Sequence, residues 1–397
     1  MGITRKIAKC SFISAASLGA AATWRVYREP FPEEDPACLS HLQSRVESVT
    51  TTDGVTLRLK RYVNEGAQPV LFAHGFTGNG LEFDLPHHEH NIALYLAERG
   101  YDVWISSFQG CGREPYMCGV GDWRHSVDHL ASLDAPALVN GVSEKTGRRP
   151  IWIGHSMGGI VLYMYLQGVK PVSLDGHFRV ATDPDLARER NASLLGGVTI
   201  GSPPGLHCGG GDWIARLERI PNLDKIADAA AGLLKKASDA SPKVPISRLG
   251  AFVARFPRLG RILAIHGPVA IALYNARNVD PDVGYSLIKQ ASDNVTTLMT
   301  AQIAVLASDP DLKGYNGECN YTAGMDRITA PLFFITGTED FVGPDNVREY
   351  GYERVSSAVK RFENYRGYGH TDLVMGKRVY TEVYPDILDW IEGIAGT

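Results

Sequence analysis

The sequence predicts an α/β fold: a mostly parallel sheet with helices on both faces and an inserted, mainly helical cap. Three observations predict it. Short apolar runs bounded by turn residues recur along the chain, among them "PVLFAHG" (69–75), "YDVWISS" (101–107) and "PIWIGHS" (150–156). Stretches with helical spacing separate them, as parallel strands require, and continuous rather than alternating apolar runs mark strands buried on both faces. The alternation then stops between Leu206 and Arg327 and resumes at "PLFFITGTED" (331–340).

Taken in order, "RVESVTTTDGVTLRLKRYV" (45–63) alternates around Asp53-Gly54, a hairpin signal that adds antiparallel strands at one edge. The run at 69–75 is a buried strand, and "NIALYLAERG" (91–100) is a helix stopped by its glycine. The strand at 101–107 precedes "RHSVDHLASLDAPALVNGV" (124–142), helical in spacing with Pro136 inside it. The strand at 150–156 runs directly into the helix "MGGIVLYMYLQG" (157–168). "LLGGVTIGSPPG" (194–205) is a strand ending in turn residues, and "VYTEVYPDILDWI" (379–391) closes the chain as a helix. The division expected is an N-terminal segment (1–44), a core (45–205 and 328–397) and a helical cap or lid (206–327).

A chain of 397 residues is long for one core, which fits one large domain with an insertion, or two domains. Its 44% hydrophobic and 21% charged content is that of a globular protein, and a net charge of −4 gives no reason to propose a nucleic-acid partner. The six cysteines are too sparse for a disulfide framework. Cys111 and Cys118 could close a small loop in an oxidising compartment, but unpaired thiols are the simpler reading. The opening "MGITRKIAKCSFISAASLGAAATW" places Arg5, Lys6 and Lys9 before small and apolar residues. It fits an export signal, a weak membrane anchor or a frayed helix. The compartment therefore stays open: membrane-associated or exported through this segment, otherwise cytoplasmic.

Gly154-His155-Ser156-Met157-Gly158 fits G-x-S-x-G at a strand-to-helix junction. Such a turn is sharp, so its neighbours must be small, and it lifts the serine hydroxyl above the sheet edge. The Met157 amide then faces the same space at a helix N-terminus, where it can stabilise an oxyanion. A serine hydroxyl needs a base at neutral pH. In this architecture the acid follows a later strand and the histidine comes last, which selects Asp340 after "PLFFITG" and His370 in "YRGYGHTDLVMG". Glu339 and Asp345 compete with Asp340 for the acid role. The second oxyanion donor falls after His74-Gly75, on the Phe76 amide, with Thr77 as fallback; His74 braces the loop. The expected catalytic set is thus Ser156, Asp340 and His370, with the amides of Phe76 and Met157.

These stretches resemble the α/β-hydrolase superfamily. The nearest likeness is to the acid lipases of gastric and lysosomal type, with a fainter one to polyhydroxyalkanoate synthases. "HGFTGNGLEFDLPHHEHNIALYLAERGYDVWISSFQG" resembles the acid lipases' oxyanion loop and following strand. "DWRHSVDHLASLDAPALVNGV" resembles their Asp-Leu-Pro-Ala helix, and "GHTDLVMGKRVYTEVYPDILDWI" their histidine loop and last helix. The resemblance implies an α/β-hydrolase fold and cleavage of apolar carboxylic esters through an acyl-enzyme, with no metal or organic cofactor. Acid lipases usually carry glutamine where this chain has Met157, which weakens the match in subfamily and substrate but leaves the backbone donor. The synthases use cysteine as nucleophile, so Ser156 argues for hydrolysis. An acyltransferase with the same triad and a non-catalytic ligand-binding relative are the alternatives.

Other features read more plainly. His87, His88 and His90 look like a metal cluster but lack a fourth ligand at local spacing, so a structural role is expected. His207 fits a pocket lining or a loop equally well. "VPISRLGAFVARFPRLGRILAIHGPVAIALYNAR" (244–277) has five arginines and no acid. It suits a lid over the site or contact with an anionic membrane surface. "WIARLERIPNLDKIADAAAGLLKKA" (213–237) reads as an amphipathic cap helix.

Overall fold

The computed structural model describes residues 42–174, 177–207, 242–266, 273–307 and 309–396. The N-terminal signal-like segment and the helix expected at 213–237 lie outside the described residues.

Eight strands form one sheet in the order β1-β2-β4-β3-β5-β8-β11-β12. They are β1 (Ser44–Thr50), β2 (Thr56–Tyr62), β3 (Pro69–Ala73), β4 (Asp102–Ser106), β5 (Ile151–His155), β8 (Gly196–Ile200), β11 (Leu332–Gly337) and β12 (Lys360–Tyr365). The hairpin β1–β2 is antiparallel, with Thr50 opposite Thr56, and β2 is antiparallel to β4. The remaining neighbours are parallel. β5, which delivers Ser156, lies between β3 and β8.

Every residue of β3, β4, β5, β8 and β11 is buried, because both sheet faces are covered. Successive side chains alternate between two cores. Val70, Phe72, Val103, Ile151 and Ile153 pack with Ile92 and Leu96 of helix α1 (Ile92–Ala97) and with the last helix, α10 (Val379–Ala395). Leu71, Trp104, Trp152 and Phe334 pack with α2 (Ala135–Thr146) and α3 (Met157–Leu166). Helix α3 is apolar all round because it is buried all round.

The structure differs from the sequence reading in three places. Between Gly168 and Leu194, where no element is expected, it has a two-stranded hairpin, β6 (Val169–Leu174) and β7 (His177–Thr182), and a helix α4 (Pro184–Ser193). Pro171 within β6 and the partly exposed residues of β7 mask the strand pattern. β12, "KRFENY", is a half-exposed edge strand without an apolar face. The single helix expected over 124–142 is broken. A short turn (Val127–His129) leads into a wide π turn (Leu130–Asp134), and α2 starts at Ala135 with Pro136 in its first turn. Proline has no N–H for a helical bond, and its ring crowds the carbonyl of the preceding turn, so Pro136 is accommodated in the first turn of α2 rather than within a continuous helix.

A buried ion pair locks β2 to β4. Arg61 donates to both Asp102 oxygens at 2.8 and 3.0 Å, and the indole N–H of Trp104 adds a third bond at 2.7 Å. Asp102→Ala would leave a buried guanidinium whose remaining acidic partners among the described residues are Glu47 and Glu65, both at 3.3 Å. We expect a loss of about 3 kcal/mol in urea unfolding, at the low end for a broken buried pair because those two acids remain. A loss under about 1 kcal/mol would mean that the pair behaves like an exposed one.

The chain between β8 and β11 holds helices α5 (Ser247–Arg255), α6 (Pro257–His266), α7 (Pro281–Ser286) and α8 (Thr297–Ala304), and a small ladder of β9 (Lys243–Val244) with β10 (Val295–Thr296). The short helix α9 (Asp372–Met375) follows the His370 loop. Val253 of α5 and Ala264 of α6 pack inward against Ile288. Phe252, Phe256, Leu259 and Ile262 are turned outward and stay 42–57% exposed. Among the described residues, no helix is long and apolar enough to cross a membrane.

Candidate active site

The turn from β5 into α3 puts Ser156 at φ 50°, ψ −114°, a conformation that costs energy for a residue with a Cβ. Close approach holds it there. A Cβ on Gly154 would lie 2.5 Å from the Gly158 backbone, and one on Gly158 would lie 2.0 Å from the Ala73 carbonyl oxygen. Only glycine at both positions lets strand and helix meet this tightly. The Ser156 amide donates to the Ile200 carbonyl at 2.8 Å. From Ile151 to Leu166, Ser156 alone is partly open to solvent.

His370 sits 214 residues further along the chain, in the loop after β12, with its Nε2 2.8 Å from the Ser156 hydroxyl. Its Nδ1 lies 2.9 and 3.1 Å from the two oxygens of Asp340, which is fully buried. The amide of Val342 donates to Asp340 at 3.0 Å and fixes the carboxylate's orientation. A Cβ on Gly201 would fall 3.0 Å from both Asp340 Oδ2 and His370 Nδ1, so a bare backbone there leaves space for the pair. Glu339 is exposed, and Asp345 faces Arg348 at 3.6 Å. Of the three candidate acids, the structure brings Asp340 to the histidine.

Met157 opens α3, and Phe76 follows Gly75 on the loop after β3. A Cβ on Gly75 would be 3.3 Å from the Ser156 Cβ, so this loop lies directly against the turn that carries Ser156. Among the described residues, neither the Phe76 nor the Met157 amide has a hydrogen-bond acceptor. Thr77 takes a positive φ of 63°, held by the Asp293 amide donating to its carbonyl at 2.7 Å. His74 is fully buried, which disfavours its charged form, and it braces the loop. Its Nδ1 meets the Gly75 carbonyl at 2.9 Å, and its Nε2 accepts from the Phe108 amide at 3.1 Å.

The other candidates sit elsewhere. His87, His88 and His90 face separate partners: the Ser286 hydroxyl at 2.8 Å, the Glu98 carboxylate at 3.1 Å and the Met375 carbonyl at 2.9 Å. His207 stacks on Tyr350 at 4.0 Å and faces Asp311 at 2.8 Å. Cys111 and Cys118 are buried free thiols, and burial pushes Cys118 up to about 12.

Residues without a motif matter as well. Glu82 contacts both Gly75 and His155. Asp372, two residues beyond His370, accepts from the Asn278 side chain at 2.7 Å and the Asn275 amide at 3.2 Å. The Thr371 amide donates to the Leu273 carbonyl at 2.9 Å, so the β8–β11 connection touches both the histidine loop and the Thr77 loop. Apart from Glu82 with Gly75, these contacts join residues far apart in the chain, so they carry no local sequence signal.

A parallel sheet covered on both faces, with a serine, a histidine and a carboxylate meeting at its strand tips, defines the class of nucleophile-elbow α/β proteins. The chain belongs to the alpha/beta hydrolase family, which it matches over residues 70–379. It is 28% identical to lipase lipl-3 of Caenorhabditis elegans over 177 residues, 40% of this chain and 44% of that one. It is 30% identical to human gastric triacylglycerol lipase over 156 residues, 35% of each chain. The matches thus span less than half of these relatives' length. Among solved structures, a monoacylglycerol lipase of Paleococcus ferrophilus superimposes with a TM-score of 0.54 at 14% identity, covering 85% of this chain and 99% of that one. A thermophilic esterase from Thermogutta terrifontis gives 0.52 at 14% identity, covering 88% and 99%. At these identities the two structures share the fold.

Proposed function

We propose that the protein is a serine hydrolase that cleaves carboxylic esters with an apolar acyl chain. The observation that carries this reading is the continuous chain Ser156 Oγ–His370 Nε2 (2.8 Å) and His370 Nδ1–Asp340 Oδ1 (2.9 Å). His370 takes the Ser156 proton as the oxygen attacks the ester carbonyl. Buried Asp340 holds the imidazole in the tautomer that can accept that proton and stabilises the imidazolium that forms. The Phe76 and Met157 amides receive the oxyanion. His370 then protonates the leaving alcohol and activates a water that releases the acid. Every step uses groups of this chain. A complete triad weighs against a ligand-binding relative without turnover.

The connection between β8 and β11 acts as a lid in this reading, since it touches the loops on both sides of Ser156. Its outward residues Phe252, Phe256, Leu259 and Ile262 lie beside exposed Arg255 and Arg258. There is no Asp or Glu between Asp239 and Asp280. Such a basic, apolar face suits an anionic lipid surface that presents lipid-like esters.

A series of p-nitrophenyl esters from C2 to C16, with and without anionic vesicles, tests substrate and surface together. The reading predicts a long-chain optimum, higher rates with anionic than with neutral vesicles, and release of free acid even when a competing alcohol is present. A short-chain optimum indifferent to vesicles would reduce it to a soluble-ester esterase. Transfer to the alcohol in preference to water would make it an acyltransferase.

A further inference from the structure

Glu82 is a buried carboxylate, 5% exposed, with no place in the proton transfers described above. It projects from a short helical turn, Gly80–Phe83, whose start is capped by the Asn79 side chain accepting from the Leu81 amide at 3.0 Å. The start of the turn is anchored twice. The Gly80 amide donates to the Ser107 hydroxyl at 3.1 Å, and the Asn79 side-chain amide donates to the Gln290 carbonyl at 3.1 Å. One oxygen of Glu82, Oε1, then does two things. It accepts from the Gly75 amide at 2.9 Å and from Nδ1 of His155 at 3.0 Å.

Gly75 directly precedes Phe76, the donor proposed on the loop side of the oxyanion hole. His155 directly precedes Ser156 and is itself 3% exposed. A single oxygen therefore joins the two chain segments that carry the hole's two donors. The loop and the nucleophile turn are in close contact here: a Cβ on Gly75 would fall 3.0 Å from His155 Nδ1. The His155 ring also lies beside His370, with centroids 5.0 Å apart, and its Nε2 is buried with no hydrogen-bond partner among the described residues. A histidine that spends one nitrogen on Glu82 and leaves the other unsatisfied gives up a bond that a smaller apolar residue would not need. The hydrogen bond to Glu82 is what its imidazole provides in return.

We propose that Glu82 is a positioning residue for the hydrolytic reaction: its carboxylate clamps Gly75 to His155 and so sets the separation of the Phe76 and Met157 amides around the reacting carbonyl. The proposal rests on the serine-hydrolase reading. Oxyanion donors act on charge that develops only in the transition state, so misplacing them lowers kcat and leaves ground-state binding largely alone.

The test compares wild type with Glu82→Ala, Glu82→Gln and Gly75→Ala, using the same p-nitrophenyl ester. Turnover is expressed per Ser156 titrated to completion with a fluorophosphonate, and affinity for a trifluoromethyl ketone of matching chain length is measured in parallel. Displacing a donor by about 1 Å costs about 10²-fold, so Glu82→Ala should lose about that factor in kcat per titrated site with little change in KM. Ketone affinity should fall in step with kcat, because the hemiketal oxyanion uses the same amides. Glu82→Gln keeps a carbonyl oxygen for both N–H groups and should stay close to wild type. Gly75→Ala wedges the loop from the other side and should lose kcat in the same manner, which keeps the proposal testable if Glu82→Ala does not fold. Wild-type kcat per titrated site in Glu82→Ala, or in Gly75→Ala, overturns the positioning role. So does a fall confined to the number of titratable sites, since that is what simple destabilisation gives. If the wild type forms no adduct on Ser156, the hydrolase reading falls first.

Discussion

Ser156→Ala should lose at least about 10⁴-fold in kcat/KM toward every ester the wild type cleaves, with its unfolding curve unchanged. The size follows from the division of labour at the site. In the proposed mechanism, loss of the hydroxyl removes the acyl-enzyme and leaves water attack assisted by the oxyanion donors and by binding. Stability should hold because the substitution removes one partly open oxygen and keeps the Cβ that the turn already accommodates at φ 50°. The Ser156 amide, which anchors the turn to Ile200, is retained. Residual activity within tenfold of wild type would mean that another group attacks the ester.

Asp340→Asn should cost about 10⁴-fold in kcat while leaving KM within a few-fold of wild type. Asp340 is fully buried and lies within 3.1 Å of His370 Nδ1 through both oxygens. A carboxylate only accepts there, so Nδ1 must carry the proton and Nε2 is free to take one from Ser156. An asparagine presents an N–H in the same place and favours the opposite tautomer, in which Nε2 is already protonated and can accept nothing. The imidazolium that forms during attack also loses its counter-charge. Glu339→Gln and Asp345→Asn are the controls. Both side chains are exposed and neither meets His370, so both variants should retain wild-type kcat. A large loss in either control, with Asp340→Asn unaffected, would reassign the acid.

Much of the frame behind these predictions can be read from the chain itself, for a physical reason. Strands such as 69–73 and 151–155 are buried on both faces, so nearly every residue is apolar or small, and a run of that kind stands out. The nucleophile turn is legible because steric closeness demands glycine at 154 and 158. Chain order then narrows the search for base and acid. Spacing alone does not separate Asp340 from Glu339. The tight turn in which the Asp340 amide donates to the Gly337 carbonyl buries one carboxylate and leaves its neighbour in solvent. The hairpin at 169–182 and the edge strand at 360–365 escape notice because partial exposure relaxes the hydrophobic pattern. Glu82 escapes for a different reason. Its importance lies in meeting His155, 73 residues away, and no local pattern encodes a contact of that kind.

In the proposed mechanism Ser156, activated by His370, becomes acylated during turnover. The direct measurement is to quench the reaction with a long-chain p-nitrophenyl ester at low pH within the first turnover and map the acylated peptide by mass spectrometry. One acyl group per chain is expected, carried by the peptide containing Ser156 and absent from Ser156→Ala. Turnover with no acyl group on Ser156, or with the group on another residue, would contradict it.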